Sequence, residues 1–227
     1  MAGKTKTDKT GVSRRDFMTG GGAAIAGGAL AGGAIGFPLP AEGAQKPGGY
    51  PLSTGYLVYD SRRCSGCQSC MLTCSLVHDG EAGASSSRIQ VARNVFDPYP
   101  QDIQIFVCRQ CPEPLCVKNC PTGACHVSAE NGQVRMIAAD RCIGCKTCIE
   151  SCPFVPHRTV FRVSAGKATK CDLCADTPYF SKKGGPAGTQ ACVEVCPSGA
   201  LRLVHELPPQ KDNAGYDRDL AAPAAKS

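Results

Sequence analysis

Four groups of four cysteines constrain this chain more than any other feature of its sequence. The most regular group, Cys142-x2-Cys145-x2-Cys148-x3-Cys152-Pro153, has the spacing of an iron-sulfur ligand run. The other groups repeat or widen that spacing: Cys64-x2-Cys67-x2-Cys70-x3-Cys74, Cys108-x2-Cys111-x4-Cys116-x3-Cys120-Pro121 and Cys171-x2-Cys174-x17-Cys192-x3-Cys196-Pro197. These motifs, numbered one to four in chain order, contain all but one of the seventeen cysteines.

Three-cysteine loops favour iron over other partners of thiols. A cubane cluster needs four thiolates, and in bacterial ferredoxins the last cysteine of each run binds the other cluster. Zinc is one alternative because Cys171-x2-Cys174 alone is half of a zinc ribbon, although zinc sites normally use two cysteine pairs. Disulfides or a redox-active cysteine pair are a second alternative. The repetition of whole quartets favours iron-sulfur clusters over both.

The rest of the composition offers little material for a core. Only 6% of the residues are aromatic, Trp is absent, and the chain contains 26 Gly and 17 Pro. A chain with so little apolar surface to bury must be held partly by other bonds, and metal ligation supplies them. We therefore expect the apoprotein not to fold.

The N-terminal segment resembles a twin-arginine export signal. Ser13-Arg14-Arg15-Asp16-Phe17-Met18 precedes a Gly/Ala-rich run, and we assign residues 1–44 to the signal. A membrane anchor is the alternative, but only Ile25, Leu30 and Ile35 are large and apolar in that run. Because this route exports folded proteins, we expect cofactor loading in the cytoplasm and a final position on the periplasmic side of the membrane.

Short stretches between the motifs, in which apolar and polar residues alternate, predict β-strands. We expect strands at 56–59, 88–93, 103–107, 159–163 and 201–204, and a hairpin across Asn131-Gly132. A helix is predicted to open at Cys74. The Lys/Gly/Pro-rich insertion at 179–190 is predicted to be an irregular surface loop, and residues 208–227 a flexible tail.

From about residue 56 to residue 204 the chain resembles the four-cluster ferredoxin subunit of the dimethyl sulfoxide reductase family of molybdenum and tungsten oxidoreductases, and related subunits of formate dehydrogenases and hydrogenases. The resemblance is carried by the four quartets, by Cys-Pro at 120, 152 and 196, and by Cys108-Arg-Gln-Cys111-Pro-Glu-Pro-Leu-Cys116. Ser75 replaces the usual proline after Cys74, and the Cys174 to Cys192 loop is longer than usual.

The resemblance implies an α+β fold of two ferredoxin-like domains related by pseudo-twofold symmetry, loop-rich and irregular. The outer domain would comprise residues 45–100 plus 159–207, and the inner domain residues 101–158. It also implies four 4Fe-4S clusters, each with one ligand set. The implied sets are Cys64, Cys67, Cys70 and Cys196; Cys74, Cys171, Cys174 and Cys192; Cys108, Cys111, Cys116 and Cys152; and Cys120, Cys142, Cys145 and Cys148.

The function that follows is electron transfer without catalysis, since no nucleophile, acid-base pair, flavin or nucleotide loop is visible. The implied partners are a molybdopterin-type catalytic subunit and an integral-membrane quinone-binding subunit or cytochrome b, with no direct small-molecule substrate. The alternatives are the electron-transfer subunit of a periplasmic nickel-iron hydrogenase, a free soluble polyferredoxin, and a zinc-bound structural scaffold. Nucleic acid is excluded as a partner because the net charge of +6 lacks a basic stripe interleaved with aromatics.

Several other residues carry weaker predictions. Cys125, the cysteine left over, is interpreted as a buried hydrophobic thiol. No pair of His78, His126, His157 and His205 has a ligand spacing. Basic residues beside the cysteine motifs either raise the reduction potentials of clusters or are solvated surface charges. These residues are Arg62, Arg63, Arg109, Lys118, Arg141, Lys146, Arg158 and Lys170.

Overall fold

Short strands and helices alternate with cysteine loops in the computed structural model, which describes residues 49–211 and 215–221. The described strands are β1 Tyr56–Tyr59, β2 Gln90–Arg93, β3 Ile103–Phe106, β4 Cys125–Ser128, β5 Val134–Ile137, β6 Thr159–Arg162, β7 Lys167–Lys170 and β8 Leu201–Val204. The helices are α1 Ser69–Asp79, α2 Leu115–Lys118, α3 Thr147–Glu150 and α4 Ala191–Glu194, with a 3-10 turn at Ala84–Ser86. The predicted export signal lies outside the described residues.

The eight strands form four antiparallel pairs, and each pair stands as a two-stranded sheet. β2 pairs with β3, β4 with β5 and β6 with β7, whereas β1 pairs with β8 from the far end of the described chain. A two-stranded ribbon of four-residue strands is marginal on its own, so the pairs depend on what packs against them. The predicted strand positions and the hairpin across Asn131-Gly132 are confirmed.

The main hydrophobic core surrounds β1 and includes several of the motif cysteines. Tyr56, Leu57 and Val58 are at most 1% exposed, and Ile89 and Ile105 pack in the same cluster. A smaller cluster gathers around Cys125, Cys148 and Ala168. A third cluster contains Val77, Cys174 and Ala191. Apolar burial is therefore divided among three groups, and cysteine side chains contribute to all of them.

The first helix begins earlier than predicted. It starts at Ser69 rather than at Cys74, after Gln68 in the left-handed conformation with φ 61°. Cys70 and Cys74 consequently lie one turn apart on the same side of α1, and both are buried. The helix ends at Gly80, whose φ of 76° suits glycine at this position.

The prediction of a flexible tail is wrong for residues 215–221. Tyr216 is 1% exposed and Leu220 is 6% exposed. The Tyr59 amide donates to the Tyr216 carbonyl oxygen at 2.8 Å, which fixes this segment along the edge of β1. A single buried aromatic side chain therefore anchors a stretch that is otherwise polar.

The insertion at 179–190 has no helix or strand, as predicted, but it is not wholly on the surface. Pro186 and Gln190 are buried, and an added Cβ at Gly55 would lie 2.9 Å from Pro186. The Gln190 side-chain amide donates to the Gly185 carbonyl oxygen at 2.8 Å. In residues 49–211 and 215–221, no helix is long and apolar enough to cross a membrane.

Candidate iron-sulfur centres

Four cavities are each lined by four motif cysteines, and we number them I to IV. Cavity I is lined by Cys64, Cys67, Cys70 and Cys196, cavity II by Cys74, Cys171, Cys174 and Cys192, cavity III by Cys108, Cys111, Cys116 and Cys152, and cavity IV by Cys120, Cys142, Cys145 and Cys148. Each has about 290 to 360 Å³ free of protein atoms, partly open to solvent. The grouping coincides with the sets that the family resemblance implies.

The four sulfurs of each set are spread around a cavity and do not converge on the position of a single metal ion. In the described part of the chain, no three His, Cys, Asp or Glu side chains are placed to hold a single metal ion. Four thiol donors around a common space fit a cubane cluster, whose four irons each take one thiolate. The donor chemistry of all four cavities therefore matches a 4Fe-4S group.

The loops wrap the cavities because the same backbone position is left-handed in every motif. The residue before the second cysteine has a positive φ in all four motifs: Gly66 at 69°, Gln110 at 50°, Gly144 at 73° and Leu173 at 57°. Glycine adopts this conformation without strain, whereas Gln110 and Leu173 do so at a cost. A glycine at this position is a sequence signal for the left-handed turn, whereas Gln110 and Leu173 give no such signal.

Gly144 offers a direct test of this loop geometry. An added Cβ would lie 2.2 Å from the Gly166 carbonyl oxygen, whereas at Gly166, with φ 63°, it would meet nothing within 4 Å. We expect Gly144→Ala to lower the iron content per chain. Gly166→Ala should keep full iron and lose only about 1–2 kcal/mol of stability from its left-handed backbone. Iron analysis with thermal unfolding checks both, and equal iron losses would contradict the prediction.

Backbone amides stabilise the sulfurs of the last cysteine in three motifs. The three bonds are Cys125 N to Cys120 Sγ at 3.3 Å, Arg158 N to Cys152 Sγ at 3.4 Å and Ala200 N to Cys196 Sγ at 3.2 Å. Such N–H donors favour the charged thiolate and, around a cluster, tune its reduction potential. The main chain after each of these cysteines is thus arranged for a charged sulfur.

Each helix connects two cavities. In α1, Cys70 lines cavity I and Cys74 lines cavity II. The same cavities are joined across α4 by Cys192 and Cys196, while α2 and α3 join cavities III and IV. Cavities II and III meet where the Gln110 amide donates to the Cys171 carbonyl oxygen at 2.9 Å. The cavities therefore follow one another in the order I, II, III, IV.

Burial raises the pKa of several of the thiols. The pKa reaches about 12 at Cys70, Cys111 and Cys174, and burial is the largest cause in each case. Metal ligands must be thiolates, so loading these cavities releases protons. Cys116 differs, because a hydrogen bond from Cys125 and the nearby Lys170 ammonium hold its pKa well below the usual range.

A buried network that the sequence did not indicate lies beside cavity II and includes His78 from its lining. His78 Nε2 lies 3.0 Å from Asp172 Oδ1, and Arg88 Nη1 lies 2.6 Å from Asp172 Oδ2. His78 Nδ1 is 2.7 Å from the Cys74 carbonyl oxygen. Burial lowers the pKa of His78, but hydrogen bonds to Asp172 and Cys74 outweigh it and raise the pKa to about 9. The spacing between histidines could not reveal this network, because the residues that contact His78 include Asp172, which is distant in sequence.

The basic residues beside the motifs divide into two groups. Five of them are exposed, namely Arg62, Arg63, Lys118, Arg141 and Lys146. Arg109, Arg158 and Lys170 are at most 6% exposed and line cavity III, together with the wholly buried Arg135, which sequence analysis missed. Cys125 is 2% exposed, and its predicted burial is confirmed.

Comparisons with known proteins agree with the cysteine pattern. Residues 101–206 match the family model of a 4Fe-4S dicluster domain, and residues 62–79 match that of a 4Fe-4S binding domain. The fold is accordingly built of ferredoxin-like 4Fe-4S domains, rich in short strands. A chain of the active-site complex BamBC of benzoyl coenzyme A reductase aligns at 19% identity over 71% of this chain and 85% of that one, with a TM-score of 0.36.

Similarity to curated proteins identifies the family of this chain. The chain is 36% identical over 152 residues to the thiosulfate reductase electron transfer subunit PhsB of Salmonella typhi, covering 65% of this chain and 73% of that one. It is 37% identical over 168 residues to an iron-sulfur protein of Rhodospirillum rubrum, covering 68% and 84%. It is 37% identical over 147 residues to the polyferredoxin-like subunit of an aliphatic sulfonate oxidoreductase of Pyrococcus furiosus, covering 63% and 73%. With these similarities, its 4Fe-4S domains and its cysteine motifs, the chain belongs to the family of ferredoxin-type 4Fe-4S electron-transfer subunits of oxidoreductase complexes.

Proposed function

We propose that the protein holds four 4Fe-4S clusters, one in each of cavities I to IV, and serves as the electron relay of a respiratory complex. The observation that carries the proposal is the grouping of sixteen cysteines into four sets around four separate cavities. Bound clusters of this kind supply single-electron transfer. The sixteen cysteines hold them, and the protein itself performs no bond-breaking chemistry.

The order of the cavities supports a relay with two ends. Cys67 in cavity I and Cys145 in cavity IV are the exposed cysteines of the described chain, whereas every cavity also contains buried ones. Cavities II and III lie between these ends. α1 and α4 connect cavity I to cavity II, the Gln110 contact connects cavity II to cavity III, and α2 and α3 connect cavity III to cavity IV. We propose cavities I and IV as the points at which partner proteins exchange electrons with this subunit.

The motif pairing also supports a duplicated architecture. Motifs one and four build cavities I and II, and motifs two and three build cavities III and IV. We propose that these halves are two ferredoxin-like domains related by a pseudo-twofold axis, with α1 against α4 in one and α2 against α3 in the other. The proposed domains keep the boundaries expected from the resemblance.

The proposed partners are a molybdopterin-type catalytic subunit and a membrane subunit that reacts with quinone, on the periplasmic side of the membrane. Two relatives are subunits of a thiosulfate reductase and of an aliphatic sulfonate oxidoreductase, which supports assembly with a catalytic subunit. The twin-arginine motif at Arg14-Arg15 supports export in the folded state. Attachment to the membrane would depend on the partner.

Anaerobic purification from native membranes tests the proposal. We expect about sixteen irons per chain from four cubane clusters, and a co-purified large subunit that contains molybdenum or tungsten. Abundant zinc with little iron would contradict the cluster assignment. A large subunit with nickel would replace the molybdopterin partner by a hydrogenase, and an iron-loaded monomer without partners would identify a free polyferredoxin.

A further inference from the structure

We infer that buried cations around cavity III give its centre the highest reduction potential of the four, and that Lys170 is a positioning residue for this charge. The inference rests on the proposed function, because it presupposes a cluster in each cavity. It goes beyond that function by ranking the four centres. An electron entering the subunit would then settle in the interior rather than at either end.

Lys170 is the basic side chain in direct contact with a cavity III sulfur. It closes β7 immediately before motif four, and it is 3% exposed. Its Nζ donates to Cys116 Sγ at 3.3 Å. The next residue, Cys171, lines cavity II. A full positive charge is therefore fixed beside cavity III, at the step between the two interior centres.

Two arginines add to this charge without carboxylate partners. Arg135 is 0% exposed, and its guanidinium donates to the backbone carbonyl oxygens of Cys111 and Gln133 at 2.9 and 2.6 Å. Arg158 is 6% exposed and lies 4.6 Å from the centre of the Phe106 ring. None of the ion pairs among residues 49–211 and 215–221 includes Arg135, Arg158 or Lys170. No carboxylate within ion-pair distance in the described chain therefore offsets their charge at cavity III.

The other cavities have a different charge environment. Cavity I is lined by cysteines and by uncharged side chains. Beside cavity II, the buried Asp172 carboxylate is paired with both His78 and Arg88, and its negative charge offsets one positive charge there. Cavity IV has Lys146, which is exposed and lies 4.5 Å from the Phe161 ring. Cationic charge that is both buried and unpaired is therefore concentrated at cavity III.

Reduction adds one negative charge to a centre, so nearby positive charge favours the reduced form. The effect is larger in a protein interior than at the surface, where water and salt screen it. Lys170 in cavity III should therefore act much more strongly than Lys146 beside cavity IV. This difference gives the centre in cavity III the highest reduction potential of the four.

An anaerobic redox titration of the full protein, followed by electron paramagnetic resonance, tests the ranking. Lys170→Met removes the charge at similar length, and Lys146→Met is the matched surface control. At the wild-type midpoint of the highest-potential step, we expect Lys170→Met to lower the ratio of reduced to oxidised centre by at least about tenfold, as for one buried charge a few ångströms away. Lys146→Met should leave that step unchanged, and Lys170→Arg should restore most of the wild-type midpoint.

Three results would overturn the inference: an equal response to the two methionine variants, a shift confined to a lower step, or failure of Lys170→Arg to restore the midpoint. Iron per chain is measured first in every variant, because absence of iron-sulfur centres from the wild type would refute the proposed function instead. If Lys170→Met loses iron, Arg158→Met is titrated in its place, with the same expected direction for the highest step.

Discussion

Removal of iron is expected to unfold the protein cooperatively rather than leave an empty scaffold. The strands are four residues long and form only two-stranded pairs, which are marginal without support from other elements. The core contains few aromatic residues, since these make up 6% of the sequence and Trp is absent. Ligation would therefore supply a large part of the folding free energy, as it does in small metal-dependent domains.

The buried charges give a second reason to expect unfolding when iron is removed. Arg135 and Lys170 are at most 3% exposed, and Lys170 has a cysteine sulfur as its hydrogen-bond partner. A buried cation that loses its counter-charge costs several kcal/mol. Loss of anionic clusters would leave these cations uncompensated and would empty four cavities of about 290 to 360 Å³. Both changes destabilise the same small core.

Near-ultraviolet circular dichroism can follow this transition through the buried tyrosines. Tyr56, Tyr59 and Tyr216 are at most 4% exposed, so their signals should disappear when an iron chelator and a reductant are added. Limited proteolysis should become rapid at the same point, and iron with sulfide should restore both. A chelator saturated with iron beforehand is the control. Retention of the tyrosine signals in iron-free protein would contradict the prediction.

Local patterns allowed the sequence to predict much of this fold. The β4–β5 hairpin follows from Asn131-Gly132 between two apolar runs, and Gly132 has the positive φ that such a turn requires. The strand positions follow from alternation over four or five residues. The grouping of cysteines by cavity follows the family resemblance, in which each run gives its last cysteine to a different set.

Features that depend on distant contacts could not be predicted. The polar segment after residue 208 shows no sign that Tyr216 packs beside Tyr59. Arg135 alternates with apolar residues in β5 and therefore suggests a solvent-facing position, yet cavity III occupies that side. The start of α1 is set by Gln68, whose left-handed backbone belongs to the loop around cavity I. In each case the cavities or the tertiary packing overrule a local pattern.

Replacement by alanine is expected to change the iron content at one of two buried cysteines of cavity IV and not at the other. Cys125 is 2% exposed and Cys148 is 7% exposed, and both line the cavity. Only Cys148 belongs to the predicted ligand set. We expect Cys148→Ala to lose about one iron per chain if a three-iron cluster survives, and about four if it does not. Cys125→Ala should keep the wild-type iron content.

The role of Cys125 makes this comparison decisive. Its amide donates to Cys120 Sγ at 3.3 Å, a contact that alanine preserves. Its thiol donates to Cys116, so the substitution removes one hydrogen bond to a cavity III sulfur and should lower that centre's potential without loss of iron. Iron analysis and a redox titration of both variants separate the two roles. Loss of iron from Cys125→Ala but not from Cys148→Ala would make Cys125 a ligand, and the assignment of cavity IV would then be wrong.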